Sequence, residues 1–407
     1  MTRLILSALL ACCTARSVTA QSFDGYASVL LDTLPRARAE GTERRSVTEM
    51  RSRIFGDYRH DIGARVRLTI AGFAEGLIGN RGQPDLTRTG IVRPQELNVE
   101  ARWQRADVRV GFSRVVWGRL DEFLPTDVVN PQDLTRFFLE GRAEGRMPVG
   151  MIRARWLPSD VFALEGIYVP VFRRGRFDQL DEDTAPFNIA PPVPAVTRVE
   201  PAHTPANAQG GVRASATTGR VDWAVSAYRG FEPLPVYVAT FRLDRPFPDV
   251  TALHPRFTMV GGDFETVRGQ WGLRGEVATF VDRTLQVADA LATVEGRSVE
   301  AGLGVDHKAG SYRVSGTAMF TARPGDQDVT LVSSIDRSFA RETRTVRVFG
   351  VYNPGEQSVF ARVIASVSVR DNVSVEGSAG WFEGDGDDAI SRFADRDFLY
   401  ARLKVFF

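Results

Sequence analysis

From near residue 23 to the end of the chain, apolar and polar side chains alternate with a period of two rather than the roughly 3.6 of a helix. In the last segment Leu399, Ala401, Leu403, Val405 and Phe407 share one face, while Tyr400, Arg402 and Lys404 share the other. Val359, Ala361, Val363, Ala365, Val367 and Val369 alternate with Phe360, Arg362, Ile364, Ser366 and Ser368. Val299, Ala301, Leu303 and Val305 alternate in the same way with Glu300, Gly302, Gly304 and Asp306. Early in the chain Val66, Leu68 and Ile70 alternate with Arg65, Arg67 and Thr69. Successive side chains of a strand point to opposite faces, so each run is an extended ribbon with one apolar and one wet side. No long helical pattern and no domain-sized linker interrupts the series. The pattern predicts one all-β domain over residues 21–407.

The connections sharpen that reading. Short turns fall near residues 61–63, 104–106, 158–159, 218–219, 267–269, 308–310, 340–342 and 370–372. Between them lie connections that are often longer, around 78–92, 119–146, 172–207, 231–253, 283–295 and 384–395. Alternating short and long connections are what a transmembrane β-barrel shows, with short periplasmic turns and longer outer loops. Counting from a strand at Phe23–Leu34 gives eighteen antiparallel strands, with sixteen as the alternative. A water-soluble β-sandwich is the competing architecture. Against it, many strands run to about 11–14 residues, beyond the usual 5–6 of globular sheets, and the second face carries charge that a sandwich core would not hold. Trp103, Trp156, Trp223, Trp271, Trp381, Tyr312 and Tyr352 sit near strand ends on the apolar face, as interfacial girdles require.

The first twenty residues stand apart. A charged start at Arg3, an apolar run from Leu4 to Cys13 and small residues at Val18 and Ala20 read as a secretory signal peptide over residues 1–20, cleaved before Gln21. The apolar run is about half of what a spanning helix needs. Leu9 to Cys12 offers a lipoprotein site as an alternative, which the second Leu fits poorly. Both cysteines, Cys12 and Cys13, lie in this leader, so thiolate metal sites, cysteine nucleophiles and disulfides are excluded from the mature chain. The formal charge of +1 becomes −1 once Arg3 and Arg16 are removed, which gives no footing for a nucleic-acid partner. A mean hydropathy of −0.15 suits a soluble protein and a barrel alike, because alternation averages the two faces.

The closing segment DRDFLYARLKVFF resembles the signal that outer-membrane barrels present to their assembly machinery, carried here by Tyr400, Leu403, Val405 and Phe407. More widely, FDGYASVLLD, VVWGRLDEFLPTDVVNPQDL and the closing strands resemble a mostly uncharacterised family of porin-like Gram-negative outer-membrane proteins. In that family a strand ends in Trp-Gly before an Asn-Pro-x-Asp segment; the matching residues are Trp117-Gly118 and Asn130-Pro131-Gln132-Asp133. Its members are similar to alginate-export and substrate-selective porin barrels. The resemblance implies fold and location, and leaves the solute open.

With the apolar faces turned to lipid, the other faces define the lumen. They carry Arg65, Arg67, Arg102, Arg109, Arg153, Arg155, Arg213, Arg274, Arg313, Arg347, Arg362, Arg402 and Lys404 against Glu75, Glu100, Glu165, Asp222, Glu276, Glu300, Asp306 and Glu376. Charges ringing a pore tune its ion selectivity, and the surplus of five cations leads to an expected modest anion preference. The competing account is that these charges only brace the wall through mutual pairing. In the connection 119–146, Asn130 is expected to cap a short helix with Pro131 at its first position. Leu134, Phe137 and Phe138 would share one face of it, and the segment, which begins after Trp117 and includes Asp133, would fold inward as a constriction. Arg136, Arg142 and Arg146 would then lie near the path; a loop resting on the rim is the alternative.

Other motifs carry less. The acidic run Glu383 to Asp388 lacks EF-hand spacing and reads as a solvated outer loop. The Pro-rich stretch from Ala190 to Pro205 reads as an extended outer loop. The four histidines, His60, His203, His254 and His307, show no metal spacing, and no GxSxG elbow occurs, so neither catalytic residues nor metal or cofactor are expected. Nor is there room for the plug of a TonB-dependent receptor before the first strand. The expectation is a channel for small polar or anionic solutes, with outer-membrane lipids, lipopolysaccharide and the barrel-assembly machinery as partners and the oligomeric state open. A conduit for hydrophobic compounds or exported polysaccharide, and a non-conducting adhesion or structural barrel, are the alternatives.

Overall fold

The alternating ribbons can satisfy their backbone only by pairing edge to edge, and the chain pairs them until the sheet meets itself. A computed structural model describes residues 21–35, 46–80, 86–176, 187, 196–244, 247–287 and 290–407. The leader, residues 36–45 and residues 190–195 of the Pro-rich stretch lie outside the described residues. The first strands are β1 (Gln21–Leu34), β2 (Val47–Ile62), β3 (Val66–Gly79), β4 (Thr87–Arg102), β5 (Ala106–Ser113), β6 (Val149–Ser159) and β7 (Phe162–Val169). There follow β8 (Val196–Val199), β9 (Gln209–Thr218), β10 (Val221–Phe231), β11 (Val236–Thr240), β12 (Asp249–Leu253), β13 (Arg256–Arg268) and β14 (Trp271–Gln286). The chain ends with β15 (Thr293–Ala309), β16 (Tyr312–Arg323), β17 (Asp326–Phe339), β18 (Arg344–Asn353), β19 (Ser358–Arg370), β20 (Val373–Glu383) and β21 (Phe398–Phe406).

Eighteen of these form one antiparallel sheet that closes where β1 pairs with β21, from Tyr26 opposite Phe406 to Thr33 opposite Leu399. The backbone of Phe407 extends the seam with two hydrogen bonds to Gly25, of 2.9 and 3.0 Å. The expected eighteen-strand barrel is thus the fold. β8, β11 and β12 form a separate three-stranded sheet in two of the long connections, where the sequence reading placed only extended loop. The 78–92 and 283–295 connections are shorter than expected: β4 resumes at Thr87, and the gap after β14 is only 287–292. Arg88, Thr89 and Gly90 pair as strand although they carry no apolar alternation. Two connections at the long-loop end are tight turns, at 324–325 and 354–357.

The faces divide as the alternation requires. Leu303, Val305, Val314, Ile335, Val348, Val363 and Leu403 point outward and are about half exposed, whereas Glu100, Asp263, Glu276 and Arg362 are buried on the inner side. Trp103, Trp156, Trp223, Trp271 and Tyr312 all sit beside the short turns, and Tyr352 and Trp381 sit at the opposite end. The two girdles are therefore at two heights, one at each rim, with apolar side chains between them. An outer surface of this kind belongs in hydrocarbon, where an open sheet edge would cost several kcal/mol per unpaired group.

Replacement of the outward Leu303 by Arg is expected to cost about 2–4 kcal/mol in urea unfolding of the barrel in lipid vesicles, the usual midplane cost for Arg. An unchanged unfolding midpoint would show that this face does not meet hydrocarbon.

Candidate functional site in the barrel lumen

Antiparallel register places inward charges of neighbouring strands side by side. Arg67 stands opposite Glu100, Glu100 opposite Arg109, and Arg109 opposite Arg153. Glu165 faces Arg213, Glu265 faces Arg274, and Arg313 and Arg347 flank Asp336. The contacts follow. Arg109 reaches Glu100 at 2.6 Å, and Arg102 binds the same carboxylate. Arg153 donates to Glu165 at 2.7 Å, Arg155 to Asp107 at 2.8 Å and Arg213 to Asp263 at 2.7 Å. Arg274 reaches Glu265 at 3.0 Å, and Arg313 reaches Asp306 at 3.1 Å. Arg67 donates to Asp61 at 2.6 Å, and Arg402 to Glu376 at 2.8 Å.

The other inward charges are placed differently. Arg65 is exposed at the β2–β3 turn. Arg362 donates to the carbonyls of Phe138 and Leu139, to Ser378 and to Tyr400. The Lys404 ammonium lies 4.3 Å from the Tyr26 ring centre. Asp222 accepts from Thr217 at 2.5 Å, and Glu300 from Arg283 at 2.6 Å. Glu75 is held by Arg53.

Many of the cations behind the expected surplus of five are paired with carboxylates outside that count. Asp61, Asp107, Asp263, Glu265 and Asp336, absent from the sequence account, partner Arg67, Arg155, Arg213, Arg274 and Arg347. Arg51, Arg53 and Arg283 were missed on the cationic side. Strict alternation along β2, β5, β13 and β17 was the signal for all of these but Arg283, which follows a register shift in β14. What remains unequal is accessibility. On β4–β9 the carboxylates sit behind the guanidiniums: Arg102 and Arg155 are 44% and 43% exposed, Glu100 and Asp107 8% each. Across the lumen both signs are accessible, Asp121 at 48% and Asp336 at 40% beside Arg313 at 47%.

The connection between β5 and β6 enters this lumen and crosses it. Trp117 is buried, with its Nε1 donating to Glu165 at 2.7 Å and its ring edge-on to Tyr228. Gly118 has φ of 91°, and a Cβ there would meet the Glu276 carboxylate at 2.5 Å, so the Trp-Gly pair needs its glycine for both conformation and space. Glu276 is an anchor: it accepts from the backbone N–H groups of Arg119 at 3.0 Å and Thr126 at 2.7 Å, and from the Thr126 hydroxyl at 2.8 Å. The Arg119 side chain reaches Asp263 and Glu265, and Glu122 reaches Arg347 on β18. Wall glycines make room: a Cβ on Gly302 would meet Leu120 at 2.5 Å, and one on Gly261 would meet Thr126 at 2.6 Å. Such mid-strand glycines on the inner face were a legible sign of an inward segment.

Two short helices follow, α1 (Leu134–Glu140) and α2 (Arg142–Gly145). Their start corrects the expected cap. Asp133, not Asn130, accepts from the Thr135 N–H at 3.2 Å, and Pro131 lies before the helix. Asn130 ties the two ends of the segment together instead, accepting from Val115 N–H and donating to the carbonyls of Ser113 and Met147. Leu134 and Phe138 do not serve one common cluster. Leu134 packs by Tyr237, Val250 and Ala252, while Phe138 packs among Phe187, Phe360, Phe382 and Phe393. The side chains of Arg136 and Phe137 lie outside the described residues. Arg142 and Arg146 both clamp the fully buried Asp127, so neither is a free charge on a path. Glu140 ends α1 against Arg53 on β2, at 2.8 Å. Burial pushes its carboxyl pKa up, but the Arg53 charge and hydrogen bonds outweigh this and hold it below the usual value.

This is a closed eighteen-stranded antiparallel barrel with a segment folded across its lumen. Residues 50–298, more than half of the chain, match the family described as Protein of unknown function (DUF1302), and the chain belongs to that family. No curated protein matches. Among solved structures the chain is similar to OccAB3 of Acinetobacter baumannii, at 9% identity and a TM-score of 0.55, over 95% of this chain and 99% of that one. It is similar to a BenF-like porin from Pseudomonas fluorescens Pf-5, at 10% identity and 0.54, over 96% and 98%. OccK2 (OpdF) of Pseudomonas aeruginosa aligns at 10% identity and 0.53, over 96% and 97%. At these identities the likeness is one of fold.

Replacing Gly118 with Ala is expected to strain the positive-φ backbone by about 1–3 kcal/mol and push the segment off Glu276. The check is a lower urea midpoint together with faster proteolysis between 119 and 146; a variant as stable and as resistant as the parent refutes the anchor.

Proposed function

We propose that the protein is an outer-membrane pore for passive diffusion of small polar or anionic solutes, exported by its leader and narrowed by the segment between β5 and β6. The observation that supports this best is the lumen itself. Its wall carries charged groups in hydrogen-bonded pairs, and a segment held on β2, β13, β14, β18 and β19 lies across it. Paired charges keep a wall wet at low cost, while an apolar conduit would have no use for them. The large apolar side chains inside the barrel are closed clusters that seat the segment, so they offer no greasy track. Lipid and lipopolysaccharide would contact the outward belt, and the assembly machinery would read Leu403, Val405 and Phe407, which face outward in β21 and just beyond it; Tyr400 faces inward on Arg362 and Glu376. No catalytic role is part of the proposal.

Deletion of 124–140 is expected to raise single-channel conductance in planar bilayers severalfold, by removing the restriction. Unchanged conductance would remove the constriction from the account. Stable absence of ohmic current in the parent would sink the pore reading and favour an apolar conduit or a closed structural barrel.

Acid should loosen the segment. A carboxyl with a depressed folded pKa contributes stability above its unfolded pKa and loses it as pH falls through the folded value. The Glu140–Arg53 seat is therefore intact at neutral pH and weakens below about pH 4. Current noise is expected to increase there in the parent, and already at pH 7 in Glu140→Gln. Identical pH profiles for the two proteins would exclude this seat as the cause.

A further inference from the structure

Beside Trp117 the lumen wall holds a cavity of about 250 Å³ lined by Arg114, Arg153, Arg155 and Arg213, with Glu165 as the one carboxylate among its lining residues. Hydrogen bonding sorts these groups. Arg153 and Trp117 both donate to Glu165, and Arg213 is forked onto Asp263, so these charges are already matched. Arg155 uses only its Nε, on Asp107, among the described contacts. Arg114 approaches Glu96 only to 3.7 Å, beyond hydrogen-bond length. Two guanidiniums with unclaimed N–H groups therefore face one cavity, and Val116 and Ala163 add apolar surface to it.

We propose that this cavity is a binding subsite for a small organic monocarboxylate, whose carboxylate is gripped by Arg114 and Arg155 while its short apolar body lies against Val116 and Ala163. A guanidinium presents N–H donors in a planar fork that matches a carboxylate, which is why two half-used forks select that group. Glu165 does not repel the ligand because its charge is taken up by Arg153 and the Trp117 indole. The cavity lies where the inward segment leaves β5, so occupancy would place the solute at the entrance to the restriction. The inference rests on reading the lumen as a solute path.

The test is calorimetric titration of the full folded chain in detergent with butyrate, butyramide and inorganic phosphate. Butyrate is expected to bind saturably and more tightly than phosphate, and butyramide not to bind. The double variant Arg114→Gln/Arg155→Gln removes two charge-assisted contacts and should weaken butyrate by at least the roughly tenfold that the loss of one would give. Arg229→Gln/Arg337→Gln, away from the cavity, should leave butyrate binding as in the parent. Equal binding of butyrate by the lumen double variant and the parent overturns the site, as does equal binding of butyramide; tighter phosphate binding overturns the carboxylate assignment. Bilayer conductance is read separately. Binding without current keeps the subsite and removes the pore, and current without binding does the reverse.

Discussion

Closure of the sheet is the constraint on which everything else rests. In hydrocarbon no water can serve an unpaired strand edge, so β1 must find β21, and the seam runs from Thr33 opposite Leu399 to the Phe407 backbone on Gly25. Once the sheet closes, the period of two becomes a rule about solvents. Each outward side chain must tolerate lipid, and each inward one shares an enclosed space with seventeen other strands. Phe407 shows how tight the seam is: its ring lies where a Cβ on Gly25 would be, at 2.5 Å.

Enclosure then decides the chemistry of the inner wall. Arginine and carboxylate mostly meet across strands because a lone buried charge costs far more than a hydrogen-bonded pair. Pairing alone would leave the lumen electrically dull. Side-chain length breaks the tie: on β4–β9 the long arginines overlie the shorter carboxylates, whereas the inward segment adds Asp121 and Glu122 to the opposite arc. The wall thus presents mainly arginine on the arc of β4–β9, and both signs on the facing arc, where Asp121 and Asp336 stand beside Arg313 and Arg347.

Much of this was legible in the sequence, for a physical reason. Strand number, face and girdle residues depend on local alternation, which Leu399 to Phe407 or Val299 to Val305 display without any tertiary knowledge. The partners of the arginines depend on register between strands distant in sequence, and a list of charges by facing contains no register. Which carboxylate each arginine holds, Asp107 for Arg155 and Asp263 for Arg213, could not be read from that list. The role of Asn130 was misread for a related reason. Asn before Pro fits a helix cap locally, but both its amide atoms serve backbone groups at residues 113, 115 and 147, a task set only when the two ends of the segment meet.

The inward segment and the charged wall also depend on one another. Glu276 would be a buried carboxylate without a cation at hydrogen-bond distance were it not for the N–H groups of Arg119 and Thr126; conversely those N–H groups, in a loop with no ladder, need an acceptor from the wall. Removing either side leaves unsatisfied groups on the other, so the segment cannot drift without a cost to the barrel. The same arrangement fixes which charged groups of the wall are already occupied. Glu276, Asp263 and Asp127 are spent on holding the segment, while Arg114 and Arg155, just where it leaves β5 and on the facing strand, retain donor capacity. Anchoring takes up charges of both signs, Glu276 and Asp263 as well as Arg53, Arg347 and Arg362, and leaves Arg114 and Arg155 outside the set that holds the segment.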